Sequence, residues 1–139
     1  MEGARLRNGL FGTTPGLERL VEDVKDEYRS NGGWLKTIDG GYVRCNSPHA
    51  AINYKFQSAG GLVMKQTSIF LDKHLREEGL DCLKVGDIHD EGQIDSKPSD
   101  AERCGTLAVQ SIKEAGEELN FNLPLTGNFK IGENWAMTH

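Results

Sequence analysis

Ile88-His89-Asp90-Glu91-Gly92-Gln93-Ile94 sets three adjacent polar side chains between aliphatic residues, with Leu83 and Val85 upstream. Apolar flanks of this kind predict two short strands, with the polar trio at or near their bend. A bend carries side chains to the rim of a sheet, where they reach a ligand. Asp90 there is a hard oxygen ligand suited to Mg²⁺. Glu91 points to the other face of a regular strand, so the two acids need not share one metal. His89 adds a hydrogen-bond donor. A solvated turn has the same composition, so the surrounding chain decides between the two.

Upstream of that stretch, Ser47-Pro48 joins a hydroxyl cap to proline at the first helical position. It predicts a helix from Pro48 to Glu78, about 46 Å long if unbroken. Ile52, Phe56, Ala59, Val63 and Phe70 form its apolar stripe. Beside the stripe lie His49, Asn53 and Gln57 at i, i+4 and i+8. Solvated helix faces prefer Lys and Glu, so three neutral hydrogen-bonding groups on one edge suit a partner with mixed donors and acceptors. Base edges in a minor groove are one such partner; a polar network to a neighbouring helix is the other reading. Gly60-Gly61 marks a kink or a close backbone approach, and Gly79-Leu80 a helix end.

Downstream, Ser99-Asp100-Ala101-Glu102 has the form of a capping box. The helix it opens turns Cys104, Leu107, Ala108, Ile112, Ala115 and Leu119 inward and leaves Glu114, Glu117 and Glu118 as a solvated face. A short strand is expected around Leu125–Ile131. Nearer the N-terminus, the Leu6–Phe11 piece reads as a helix end. Thr14-Pro15 then predicts a helix over 15–30, with Leu17, Leu20, Val21, Val24 and Tyr28 at helical spacing and Asn31-Gly32-Gly33 as its stop. A β-hairpin over 34–44 follows, turning at Asp39-Gly40. The fold class is α+β, with antiparallel hairpins packed against long helices.

The 139 residues make one domain or a piece of one. Hydrophobic content of 37% against 27% charged describes a globular chain with a lean core. No apolar run approaches a membrane span, and the N-terminus lacks a signal-peptide core. Cys45, Cys82 and Cys104 are odd in number and far apart, and read as reduced thiols in a cytoplasmic protein. The net charge of −5 comes from residues 81–139, with five basic and eleven acidic side chains. That balance argues against a stand-alone nucleic-acid binder, while acidity around a bend is what a cation site needs.

Three blocks, in order, resemble family A DNA polymerases, the DNA polymerase I-like group, in its phage replicative branch. Ser47-Pro48-His49-Ala50-Ala51-Ile52-Asn53 with Gln57-Ser58-Ala59-Gly60 is similar to that family's long palm helix. Ile88-His89-Asp90-Glu91 is similar to its third palm motif. Gly132-x-Asn134-Trp135-Ala136 with a terminal histidine resembles the C-terminus of the phage enzymes. Trp34-Leu35-Lys36 and Ile38-Asp39-Gly40 fit the hairpin before the palm helix, so the likeness covers most of the chain.

The resemblance implies a C-terminal part of a polymerase palm, divided as follows: 1–14 the end of the fingers region, 15–46 a helix and hairpin, 47–80 the long palm helix, 81–97 the catalytic hairpin, and 98–139 a C-terminal helix and strand. It implies that Asp90 is the catalytic aspartate binding Mg²⁺, that Glu91 is its auxiliary acid, and that His89 packs against the primer terminus. Asn53 and Gln57 would contact the primer–template minor groove. His49 stands where bacterial relatives have an arginine. Gly92 replaces a large aliphatic residue, which predicts a looser hairpin, and Asp87 adds an acid nearby. The family's second catalytic aspartate, its fingers helix and its thumb have no counterpart here. The resemblance therefore implies a palm subunit of a split DNA-directed DNA polymerase, whose two-metal Mg²⁺ site is completed by a companion chain carrying the rest of the palm, the fingers and the thumb. Primer–template DNA and deoxynucleoside triphosphates would be its ligands, and the bacterial host cytoplasm its location if it is phage-encoded. The starting methionine and the terminus favour a separate gene product. A non-catalytic palm remnant that binds DNA or protein is the alternative, and a nuclease metal site at His89, Asp90 and Glu91 a third reading.

Overall fold

The computed structural model describes Gly3, Gly9, residues 11–14 and residues 16–138. Of the Leu6–Phe11 piece only Gly9 and Phe11 are described, both helical, while Pro15 and the terminal His139 lie outside the described residues. The chain divides into two compact units, residues 1–59 and 60–139. Its elements are α1 (Leu17–Ser30), β1 (Trp34–Lys36), β2 (Tyr42–Arg44), α2 (Ala51–Glu78), β3 (Cys82–Ile88), β4 (Glu91–Ser96), α3 (Ala101–Glu118) and α4 (Trp135–Thr138). Two separate two-stranded antiparallel sheets and the helices α1 to α4 make an α+β fold among the described residues.

In the first unit, α1 starts without a side-chain cap. The left-handed Gly16 precedes it, and the Leu17 N–H reaches the Thr14 carbonyl at 3.2 Å, so the expected hydroxyl cap is replaced by a backbone turn. Its end is as predicted: the Asn31 N–H bonds Glu27 O and the Gly33 N–H bonds Tyr28 O. β1 and β2 pair as Trp34↔Arg44, Leu35↔Val43 and Lys36↔Tyr42. Val24, Leu35, Cys45 and Ala51 form the core, with Tyr28, Val43, Ile52 and Tyr54 packed around it. Glu27 knots the unit together. Its carboxylate takes Lys55 Nζ at 2.9 and 2.7 Å and the Lys36 N–H at 2.6 Å, while Lys55 also donates to the Lys36 carbonyl at 2.7 Å. Burial pushes the Glu27 carboxyl pKa up, but the Lys55 and Lys36 hydrogen bonds and charges outweigh it and hold it below its ordinary value.

α2 begins at Ala51, three residues later than expected, because residues 48–50 form a turn. It runs unbroken through Gly60-Gly61, where an added Cβ would meet nothing within 4 Å. The apolar stripe read from the sequence is only partly inward: Phe56 is 57% exposed. Leu71 and Leu75 carry the packing in the second unit, against Cys104 and Leu107 of α3, with Leu80, Cys82 and Ile94 alongside.

The cysteine expectation is corrected here. Cys82 at the start of β3 and Cys104 in α3 are joined as a disulfide, and Cys45 is a buried free thiol. Twenty-two residues of separation hid a pairing that the packing of the hairpin on α3 creates. The capping box is also corrected. Asp100, not Ser99, precedes α3, and its carboxylate accepts from the Asp81 N–H at 3.3 Å instead of capping the helix. Glu114 leaves the solvated face: it meets His74 Nε2 at 2.7 Å and the Gln110 amide at 2.7 Å. Burial raises its carboxyl pKa, while Gln110 and His74 lower it further and win.

No strand forms over 125–131. The segment lies on α3 by side-chain contact instead. A Cβ at Gly105 would stand 2.3 Å from the Phe129 ring, and one at Gly116 would stand 2.8 Å from Leu125. The two glycines are notches that seat these side chains, so α3 buries Gly105 and Gly116 beside Cys104, Leu107, Ser111 and Ala115. An extended segment without a neighbouring strand cannot build a ladder, whatever its alternation suggests.

Candidate active site

β3 and β4 pair from Cys82↔Ser96 to Ile88↔Glu91, which leaves His89 and Asp90 alone in a two-residue turn. The predicted bend is therefore present, with Glu91 as the first residue of β4. His89 adopts φ 55°, a left-handed conformation that costs a histidine about 1–2 kcal/mol relative to glycine. Both His89 and Asp90 are exposed, and Glu91 is half-buried. Asp90 is exposed, and its carboxylate makes no hydrogen bond or ion pair among the described residues. A lone exposed carboxylate fits Mg²⁺ as one ligand of several. No group of three His, Cys, Asp or Glu side chains suited to a metal occurs among the described residues.

Asp87 does not join Asp90. Its Oδ1 is paired with Lys84 Nζ at 2.5 Å. Residues three apart in a regular strand face opposite sides. Here the pairing skips a residue between Lys84 and Gly86, and this bulge at Val85 turns Lys84 and Asp87 toward each other. Gly86, a glycine inside a strand pattern, is the one local signal that could have announced it. Lys84 also bonds the Ser68 hydroxyl on α2. Sequence reasoning missed Lys84 and Ser68 and treated Asp87 as a spare acid. The outer side chains of β3, Leu83 and Val85, are 67% and 62% exposed.

Asn53 and Gln57 lie in the first unit on the exposed side of α2, with Phe56 between them. His49 is exposed in the turn before α2, its N–H bonded to Ser47 Oγ at 3.3 Å. The polar edge expected from helical spacing therefore holds for Asn53 and Gln57 alone, because the helix starts after His49.

The family model described as DNA polymerase family A matches residues 2–137. The DNA-directed DNA polymerase of Escherichia phage Phieco32 is 31% identical over 145 residues, spanning 99% of this chain and 23% of that polymerase. That of Escherichia phage T7 is 29% identical, over 99% of this chain and 22% of its own length. DNA polymerase I of Aquifex aeolicus is 26% identical, over 97% and 24%. Among solved structures, the POL domain of Pol1 from M. smegmatis in complex with DNA primer-template and dNTP superposes with a TM-score of 0.73 at 20% identity, covering 82% of this chain and 22% of that one. This last likeness is one of fold. The chain spans less than a quarter of the length of these relatives, and among its described residues no helix is long and apolar enough to cross a membrane. Matched by the family model over nearly its whole length, the chain belongs to DNA polymerase family A.

Proposed function

We propose that this chain is the C-terminal palm part of a DNA-directed DNA polymerase and acts in nucleotidyl transfer with a companion chain. Asp90 supplies one carboxylate to a two-metal Mg²⁺ site, with Glu91 as auxiliary acid and His89 against the primer terminus. The observation that carries this reading is the Asp90 carboxylate, exposed at a two-residue turn and making no hydrogen bond or ion pair among the described residues. Mg²⁺ in such a site supplies charge neutralisation and an activated hydroxyl. The residues of this chain contribute position and charge.

His49, Asn53 and Gln57 are the DNA-facing groups in this reading, reaching the minor groove of the primer–template. The second catalytic aspartate, the fingers and the thumb come from the companion, since two-metal transfer needs more than one placed carboxylate. The uncovered Leu83 and Val85 support an apolar partner surface on the outer side of β3. Residues 1–14 would continue the fingers, 15–46 form a helix and hairpin, 47–80 the palm helix, 81–97 the catalytic hairpin, and 98–139 the C-terminal helix and its following segment.

Primer extension tests the reading. The purified chain is assayed alone and with candidate companion chains, using Mg²⁺, a primed template and nucleotides. Synthesis is expected only in the mixture, and Asp90→Ala is expected to lower it by about 1000-fold, as loss of several kcal/mol of charge stabilisation would. A stable complex that binds DNA but does not synthesise would make this a non-catalytic palm remnant.

A further inference from the structure

Lys84 is the residue beside the candidate site that no motif accounts for. Its side chain is 19% exposed, and lysine rarely lies so far from water without partners. Its ammonium holds Asp87 in its own strand and the Ser68 hydroxyl on α2. Ser68 donates its own proton to Met64 O at 2.7 Å, which leaves its oxygen free to accept from Lys84. Gly92 is the cross-strand partner of Asp87 and lies beside the lysine: a Cβ there would be 3.6 Å from Lys84 Cε, an ordinary contact. The lysine stem thus runs past position 92 at van der Waals distance.

We propose that Lys84 is a positioning residue for Asp90, fixing the β3–β4 turn to α2 through Asp87 and Ser68. The inference rests on Asp90 being the catalytic carboxylate. A two-residue turn inherits its direction from the last strand pairs. Asp87↔Gly92 is the pair next to the closing pair Ile88↔Glu91. Tying Asp87 to a helix therefore fixes where the Asp90 oxygens point. Misplacement by about 1 Å costs roughly 100-fold in a positioned reaction.

The test compares Lys84→Met, which keeps the stem and loses the charge, with Lys84→Arg, which keeps both. In the full chain, amide hydrogen exchange of residues 87–93 is expected to quicken at least about 10-fold in Lys84→Met, as loss of the charged contacts to Asp87 and Ser68 predicts. Amides of α3 should not change. In primer extension by the mixture, Lys84→Met should lower kcat about 10- to 100-fold with KM for DNA and nucleotide held within about twofold, and Lys84→Arg should recover most of it. Equal kcat for Met and Arg variants, or unchanged exchange at the turn, overturns the proposal. The two arms separate the failures. Unchanged exchange with Asp90→Ala inactive removes the Lys84 role alone, whereas synthesis by Asp90→Ala removes the catalytic reading on which that role rests.

Discussion

The two hairpins reverse the chain with opposite choices of residue. Between β1 and β2 the left-handed position is Gly40, at φ 86°, and the turn's polar side chains serve the turn. Asp39 accepts from the Thr37 hydroxyl and from the Gly41 N–H. Between β3 and β4 the left-handed position is His89, at φ 55°, and the next residue is an exposed aspartate whose carboxylate serves no turn contact among the described residues. The first hairpin is anchored by the Glu27–Lys55 ion pair to α1 and α2, the second by Lys84 to α2. Both anchors hold the strands, and the residue at the left-handed position of each turn is a separate choice. One turn follows the cheapest backbone; the other keeps a bulky side chain where glycine would relax it. Strain of that kind persists where side-chain identity has a use other than holding the turn.

The largest effect is expected from removing the anchor of the first hairpin. Lys55→Met leaves the half-buried Glu27 carboxylate with only the Lys36 N–H. The cost should be about 2–3 kcal/mol in urea unfolding. The pH dependence carries the same information. Glu27 has its pKa depressed below 4.5 in the folded chain. Its contribution is present above the unfolded pKa and is lost as pH falls through the folded one. Lys55→Met should therefore flatten the acid limb of the stability curve, leaving the part due to Glu114, whose pKa is also lowered. An unchanged acid limb would mean that the Glu27 node does not hold the hairpin.

A smaller effect tests the turn. Gly40→His gives the first hairpin the residue that the second one carries. A side chain at Gly40 meets nothing within 4 Å, so the penalty is backbone conformation alone, about 1–2 kcal/mol. A thermal melt that does not fall would break the contrast between the turns.

Local chemistry made the hairpins and helix ends legible in the sequence. Asp39-Gly40, Gly79-Leu80 and the aliphatic flanks of His89-Asp90-Glu91 each state their structure within a few residues, and each agrees with the pattern around it. What the sequence hid depends on residues brought together by packing. The Cys82–Cys104 pair forms because the start of β3 lies against α3. Leu125 and Phe129 alternate like a strand but fill notches at Gly116 and Gly105. Asp100 looks like part of a cap and instead takes the Asp81 N–H. At the candidate site the turn residues were legible, and the clip of Lys84, Asp87 and Ser68 was not, because a bulge reverses the facing that period-2 alternation assigns.

The finest test of the contrast is His89→Gly. Glycine relieves the left-handed penalty of about 1–2 kcal/mol, and its greater freedom in the unfolded chain returns part of that gain. A net stabilisation of about 0.5–1 kcal/mol is expected, read as a higher midpoint in urea with an unchanged slope. In the assembled polymerase the same substitution removes the imidazole proposed to pack against the primer terminus, so synthesis should fall while stability rises. Opposite signs from one substitution separate a residue kept for its side chain from one kept for its backbone. If His89→Gly instead destabilises the chain, the histidine holds the turn through its own contacts and the two hairpins follow one rule. If it stabilises and synthesis is unchanged, the strain at His89 serves no primer contact, and the turn's only proposed ligand-facing group is Asp90.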